Sequence, residues 1–170
     1  MPINRQDKQR FIMLSSSIKI HPATPRNDSI IAQHFYQLWL DNGVKANLIH
    51  DDWLDITLTF IQNARQELKF QAFIAQIETE IVGSVSCQLF AGLYPSPFKT
   101  EHRHYGYIWN VYVCSDYRRQ GIATKLTKTA SEYLKNLNCT KAVLNASPSG
   151  KPVYEQLGFV AGNEMILNLL

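Results

Sequence analysis

The chain has 170 residues, of which 45% are apolar and 18% charged, so it is long enough for one domain with a sizeable core and is not typical of a disordered protein. Its net charge of +3 comes without a dense run of Lys and Arg, which argues against a nucleic-acid partner, and no apolar run approaches the length of a membrane span. The three cysteines, Cys87, Cys114 and Cys139, are scattered, so we expect a reducing, cytoplasmic location, no metal site and no membrane association.

The composition divides the chain into an N-terminal extension over residues 1–16 and a single domain over residues 17–170. The extension is polar apart from the apolar run at residues 11–14, which is too short for a signal peptide. Neither an internal repeat nor a low-complexity tract marks a second domain.

Hydrophobic periodicity and turn residues predict the elements of the domain. Asn27 or Asp28 can cap the first helix, and Asp51 or Asp52 can cap the second. Residues 78–80 join two strands as a hairpin. The predicted elements are, in chain order, a strand over 17–23, a helix from 27 or 28 to 43, a helix from 51 or 52 to 68, strands over 70–77, 81–90 and 104–113, a helix over 121–136, a strand over 141–146, a short helix closed by Gly158 and a strand over 164–169. This order is typical of an α+β fold with one mixed sheet between helices.

The turn between the central strand and its helix has the features of an anion site. Gly121 has no side chain, so a ligand can approach the backbone there. The first N–H groups of the following helix have no intrahelical partners, and the helix dipole is positive at that end. Arg118 and Arg119 add positive charge, so the turn predicts a phosphate site, with a solvated basic turn as the alternative interpretation.

A second segment, Tyr154-Glu155-Gln156-Leu157-Gly158-Phe159, follows Gly121 by 33 residues, with a helix and a strand between. With this segment, and with Arg118, Gly121 and Ala123 in the pattern Arg/Gln-x-x-Gly-x-Gly/Ala, the chain resembles the GNAT superfamily of N-acetyltransferases from about Tyr105 to the C-terminus. The resemblance implies a mixed, mostly antiparallel central sheet that is flanked by helices and splayed between its fourth and fifth strands. It also implies that acetyl-CoA binds in that opening and that its acetyl group passes directly to a primary amine of a small molecule, peptide or protein, with CoA as product.

The resemblance further implies roles for individual residues. The central strand would hold the pantetheine arm through backbone groups, and the turn with the helix start would hold the pyrophosphate. Tyr154 would protonate the departing thiolate, because tyrosine stays protonated at neutral pH; its alternative role is packing. Many relatives have Asn where this chain has Ser147, whose hydroxyl replaces only part of the amide. The residues implied in cofactor binding are Val111, Tyr112, Val113, Arg118, Arg119, Gln120, Gly121, Ile122, Ala123, Thr124, Ser147 and Tyr154.

We expect the acceptor pocket between the loop that joins the first two helices, the loop over residues 91–103 and the end of the central strand. Aromatic side chains would line it, which favours an apolar or aromatic amine, or a cation stacked on a ring. The residues expected there are Tyr94, Tyr105, Tyr107 and Trp109.

The chain departs from the family pattern at the position of the general base. Relatives often have Asp or Glu where this chain has Trp109 and Asn110, and neither of these accepts a proton at neutral pH. Either a histidine such as His104 takes the proton, or water acts on the small neutral fraction of the amine. The missing carboxylate also leaves a second interpretation, a catalytically weak acyl-CoA-binding sensor or partner module. Relatives are often homodimers, and the sequence carries no interface signature that decides the oligomeric state.

Overall fold

The computed structural model describes residues 18–169, so the extension predicted over residues 1–16 lies outside the described residues. None of the helices within the described range is both long and apolar enough to cross a membrane. The strands and longer helices are β1 (Lys19–Pro22), α1 (Asp28–Asp41), α2 (Trp53–Glu67), β2 (Gln71–Ile77), β3 (Glu80–Leu89), β4 (Tyr105–Val113), α3 (Ile122–Asn136), β5 (Lys141–Val143) and α4 (Lys151–Gln156).

The five strands form one sheet in the order β1-β2-β3-β4-β5. The first three pairings are antiparallel, and β5 lies parallel to β4. The hairpin expected between β2 and β3 is confirmed, because Ile77 pairs with Glu80 across a short turn. The mixed, mostly antiparallel sheet predicted from the resemblance is therefore confirmed.

Helices cover both faces of the sheet and bury a separate core on each. On one face, Leu126 and Leu134 of α3 are fully buried together with Val85 of β3. On the other face, Ile31 of α1 and Ile61 of α2 are fully buried against the strands. Burying each such side chain stabilises the fold by about 1.5–3 kcal/mol, so the helices are held by their apolar stripes. The sheet is thus fixed from both sides, which gives the residues of β4 a rigid setting.

The strand predicted over residues 164–169 is wrong. The segment has no regular structure, and Met165, Ile166 and Leu167 are exposed. Its apolar composition favoured a strand, but these three consecutive apolar residues do not alternate between two faces, and a strand persists only where its backbone groups are paired. The edge strand nearest in sequence, β5, spans only Lys141–Val143 instead of the predicted 141–146 and offers little backbone to pair with.

Candidate active site

The sheet opens between β4 and β5. The two strands pair only from Tyr105 to Tyr107, opposite Lys141 to Val143, and β4 then continues to Val113 without this neighbour. The predicted splay between the fourth and fifth strands is therefore confirmed. A cavity of about 610 Å³, here called the sheet cavity, lies along the opening. Its walls include the backbone edge of β4 beyond the last pair, where peptide groups are left without a strand to pair with.

The turn that joins β4 to α3 closes one end of the sheet cavity. Gly121 is the N-cap of α3 and has a φ of +75°, a left-handed conformation in which most side chains are strained. Apart from Gly121 and its two chain neighbours, no described residue has an atom within 4 Å of the position that a Cβ would take there. The backbone at the start of α3 is therefore uncovered, with its unpaired N–H groups and the positive end of the helix dipole facing the cavity.

Arg118, at the same turn, is held by contacts within the protein. Its Nε donates a hydrogen bond of 2.9 Å to the Val113 carbonyl, and its guanidinium carbon lies 5.7 Å from the centre of the Tyr112 ring. It also forms an ion pair with Asp41 at the end of α1. The ion pair neutralises part of the positive charge at the turn. We therefore assign two roles to Arg118: it docks α1 onto the turn, and it can contact an anion.

A bulge in β4 lies midway along the sheet cavity. Ser84 of β3 pairs with Tyr112 and Ser86 pairs with Trp109, so β4 has one residue more than β3 between these pairs. Asn110 adopts a φ of +52° there. Asn tolerates the left-handed region better than most residues, which explains its presence at this position.

Asn110, which lines the sheet cavity, carries an unsatisfied polar group. Its side chain is only 3% exposed, and its Nδ2 donates a hydrogen bond of 3.0 Å to the Ile31 carbonyl. Its Oδ1 is buried and has no hydrogen-bond partner among the described residues. A buried carbonyl oxygen without a partner costs about 1–3 kcal/mol, so this atom is suited to accept a hydrogen bond from an N–H group of a ligand.

A second cavity of about 470 Å³, here called the helix cavity, lies between α1, α2 and β4. The two cavities meet at the bulge of β4 and beside the end of α1. The residues that line both are Leu38, Asn42, Ile108, Trp109, Asn110 and Asn145. A ligand in the sheet cavity and another in the helix cavity would therefore approach each other beside the Asn110 side chain. The residues that line the helix cavity are Phe35, Leu38, Trp39, Asn42, Ile56, Thr57, Phe60, Gln88, Tyr107, Ile108, Trp109, Asn110 and Asn145.

Tyr154 on α4 also lines the sheet cavity. Its ring meets Phe159 edge to face with centres 5.9 Å apart, and it lies close enough to Gly150 that a Cβ there would be 3.0 Å from Cε2. Burial raises the pKa of the Tyr154 hydroxyl above its ordinary value. The hydroxyl therefore stays protonated at neutral pH and can donate a proton.

Most of the predicted cofactor residues lie together. Of that set, only Gln120 is absent from the walls of the sheet cavity. Ser147 lines the cavity, and its Oγ accepts a hydrogen bond of 3.2 Å from the Gly150 amide. The residues that the structure brings together there are Val111, Tyr112, Val113, Arg118, Arg119, Gly121, Ile122, Ala123, Thr124, Ser147 and Tyr154.

The predicted acceptor residues separate into two groups. Tyr107 and Trp109 line the helix cavity. Tyr94 and Tyr105 line neither cavity and instead flank Arg103, with ring centres 5.2 Å and 5.0 Å from its guanidinium carbon. These two tyrosines are therefore engaged in a separate cluster of the loop before β4.

The histidine considered as a base lies elsewhere. The ring of His104 is 3.3 Å from the Asn138 carbonyl, and the residue lines neither cavity. Sequence reasoning missed Asn145, which follows β5 and lines both cavities, and Asp41, which lines the sheet cavity. For Asn145 a signal was available, because polar residues just beyond a strand end are common in sites. For Asp41 there was none, since its role depends on where α1 ends.

Comparison with known proteins finds one family model and several curated proteins that are similar to this chain. The family model described as the acetyltransferase (GNAT) family matches residues 28–159. The chain is 35% identical over 91 residues to N-alpha-acetyltransferase 30 of Xenopus laevis and to that of Homo sapiens. This match covers 52% of the chain but only 31% and 23% of those proteins, so it spans less than a third of the curated relatives.

Solved structures resemble the whole described domain. A predicted acetyltransferase with acetyl-CoA from Clostridium acetobutylicum has a TM-score of 0.76 and 25% identity, over 89% of this chain and 96% of that one. A GCN5-related N-acetyltransferase from Ralstonia eutropha JMP134 has a TM-score of 0.75 at 19% identity, over 89% of this chain and 98% of that one, which is a likeness of fold.

Proposed function

Because the chain belongs to the acetyltransferase (GNAT) family, we propose that it transfers the acetyl group of acetyl-CoA directly to a primary amine. The observation that carries the proposal is the meeting of two cavities at the bulge of β4, one along the splayed sheet and one between α1 and α2. Two substrates bound there would meet in one place, as direct transfer requires.

The chain's own residues fit acetyl-CoA. The uncovered backbone at Gly121 and the start of α3 suits the pyrophosphate. The edge of β4 at Val111, which has no strand beside it there, suits the amide groups of pantetheine, whereas the Val113 carbonyl already accepts a hydrogen bond from Arg118. The orphaned Oδ1 of Asn110 accepts a hydrogen bond from an amide or amine N–H. When bound, acetyl-CoA supplies an acetyl group activated as a thioester.

The transfer needs one proton removed and one delivered. The amine nitrogen forms a bond to the acetyl carbon, the carbon–sulfur bond breaks, and the nitrogen loses a proton while the sulfur gains one. Tyr154 is suited to deliver the proton to sulfur, because it lines the sheet cavity and stays protonated. Within residues 18–169, no Asp, Glu or His lines the helix cavity, so we assign removal of the other proton to water acting on the neutral amine.

Two kinds of acceptor remain, a small-molecule amine and the amine of a peptide or protein. The likeness to N-alpha-acetyltransferase 30 favours the α-amine of a peptide. A cytoplasmic location and a homodimer remain predictions.

A specific observation also favours the second candidate, an acyl-CoA-binding module with weak turnover: the lining of the helix cavity, as far as residues 18–169 form it, has neither a carboxylate nor an imidazole. The test is thiol release from acetyl-CoA across a panel of small amines and short peptides, together with calorimetric titration of CoA. Binding with amine-dependent thiol release supports the enzyme, and binding without release by any amine supports the module. Absence of CoA binding contradicts both.

A further inference from the structure

The mouth of the helix cavity exposes an apolar surface. Trp39 on α1 and Ile56 and Phe60 on α2 are 45%, 49% and 48% exposed. All three line the same cavity. Large apolar side chains that are half exposed around one opening indicate a surface that is covered when a ligand binds, rather than scattered exposure.

The floor of the helix cavity is rigid and its polar atom is already satisfied. The Trp109 ring meets Phe35 and Phe60 edge to face, with centres 5.1 Å and 5.5 Å apart. Its indole N–H donates a hydrogen bond of 3.2 Å to the Gln88 side chain. A ligand that reaches this floor therefore meets carbon atoms in fixed positions, which favours an apolar group of matching size.

The part of the chain that the structure describes places no charged side chain in the helix cavity. None of the described residues that line it is Asp, Glu, Lys, Arg or His. A second ammonium group, a carboxylate or a phosphate on the acceptor would lose its water without gaining a counter-ion, which is costly. The polar group best placed for the reacting amine is the Oδ1 of Asn110, at the inner end where the sheet cavity begins.

Resting on the proposed function, we propose that the acceptor is a primary amine whose adjoining group is apolar, aromatic or branched aliphatic, and carries no second charge. The amine lies at the inner end beside Asn110, and the apolar group extends outward between α1 and α2. A free arylalkylamine and a peptide whose first side chain is apolar share this chemistry. For the alternative of a cation stacked on a ring, the described residues that line the helix cavity supply no carboxylate to balance the charge.

The test compares acceptors that differ in the group next to the amine. We expect kcat/KM for phenethylamine to exceed that for spermidine by about tenfold or more, and a peptide beginning with Leu to exceed one beginning with Glu similarly. Whichever of phenethylamine and the Leu peptide has the higher kcat/KM shows whether the natural acceptor is a small molecule or a peptide. Equal or higher rates with the charged acceptors would overturn this inference and leave the proposed function intact. If none of the amines is acetylated, both this inference and the proposed function are overturned.

A pair of variants on α2 tests the cavity itself. Phe60→Glu places a carboxylate at the exposed rim, so it should lower kcat/KM for phenethylamine about tenfold or more and raise it for spermidine. Gln62→Glu adds the same charge to an exposed position of the same helix outside the cavity walls, and should change neither. CoA affinity should be the same in both variants. Equal effects of the two substitutions, or no effect of Phe60→Glu, would contradict the inference.

Discussion

The Nδ1 atom of His34 on α1 lies 2.9 Å from the Oγ of Ser84 on β3, in the layer between the helix and the sheet. The His34 ring also lies 4.8 Å from that of Tyr112, and the residue is 5% exposed. Asn110 of the bulge is anchored to the same helix through the Ile31 carbonyl. The backbone of β4 is thus positioned by polar contacts with α1 that are removed from solvent.

This burial makes the stability of the domain depend on pH. Burial lowers the pKa of His34 from 6.5 to about 4, so the folded protein binds its proton more weakly than the unfolded chain does. The free energy of unfolding is therefore highest above about pH 6.5. It declines as the pH falls toward about 4, by roughly 3 kcal/mol at most. Urea unfolding measured between about pH 7.5 and pH 4.5 should show this decline.

The matched variant is His34→Gln, which keeps a polar side chain but cannot titrate. It should be less stable than the wild type at neutral pH, and its free energy of unfolding should decline less between about pH 6.5 and 4.5. Equal declines in the two proteins would show that His34 does not cause the pH dependence.

The second prediction concerns the turn at Gly121, whose conformation restricts the choice of substitution. Asn and Asp both tolerate a positive φ and have nearly the same shape, so they differ mainly in charge. Gly121→Asp should weaken CoA binding about tenfold or more relative to Gly121→Asn, because it places a negative charge beside the pyrophosphate. Calorimetric titration measures both affinities, and urea unfolding checks that the two variants are equally stable. Equal affinities would mean that the phosphates bind elsewhere.

The sequence predicted the elements that depend on local pattern. The helix predicted over residues 121–136 rests on apolar side chains that recur at helical spacing, and three of them, Leu126, Ala130 and Leu134 of α3, are buried in the structure. From the sequence, Gly121 was expected only to leave the backbone open to a ligand, and its left-handed conformation is seen in the structure alone. The splay between β4 and β5 came from the resemblance and not from the pattern of either strand.

Features that depend on pairing between distant segments were beyond the sequence. The bulge at Asn110 arises from the register of β4 against β3, and the absence of a strand over residues 164–169 reflects missing pairing. Tyr94 and Tyr105 were expected in the acceptor pocket because they are aromatic, but Arg103 draws both into a separate cluster. A composition argument cannot distinguish these two settings, since both suit an aromatic ring.

The third prediction concerns the hydroxyl of Tyr154. Tyr154→Phe keeps the ring and its edge-to-face contact with Phe159, so packing and CoA affinity should change little. Loss of the proton donor should lower kcat by a factor of about 100 or more. The matched control is Tyr133→Phe, which removes a hydroxyl that donates a 2.9 Å hydrogen bond to the Lys69 carbonyl, outside both cavities. Single-turnover rates with saturating amine measure both. Similar rates for Tyr154→Phe and Tyr133→Phe would assign Tyr154 to packing.

The last prediction concerns the proton that the amine must lose. His104 contacts the Asn138 carbonyl and lies outside both cavities. Asp41 lines the sheet cavity. Burial acts to raise the pKa of its carboxyl group, but hydrogen bonds from Gln37 and Arg118 and the charge of Arg118 hold that pKa below its ordinary value. Asp41 is therefore a poor base. We therefore expect the reaction to depend on the neutral fraction of the amine itself, which is small at neutral pH.

Two acceptors of different basicity separate this from a protein base. With a peptide α-amine the rising limb of kcat/KM should be centred near pH 8, and with an alkylamine it should move to about pH 10, following the amine. His104→Ala should leave both limbs in place. A histidine base would instead give one limb at the same pH for both amines, in the range where imidazole titrates, and His104→Ala would remove it. A limb that stays fixed when the amine is changed would therefore refute reliance on the free amine, and its loss in His104→Ala would identify the base.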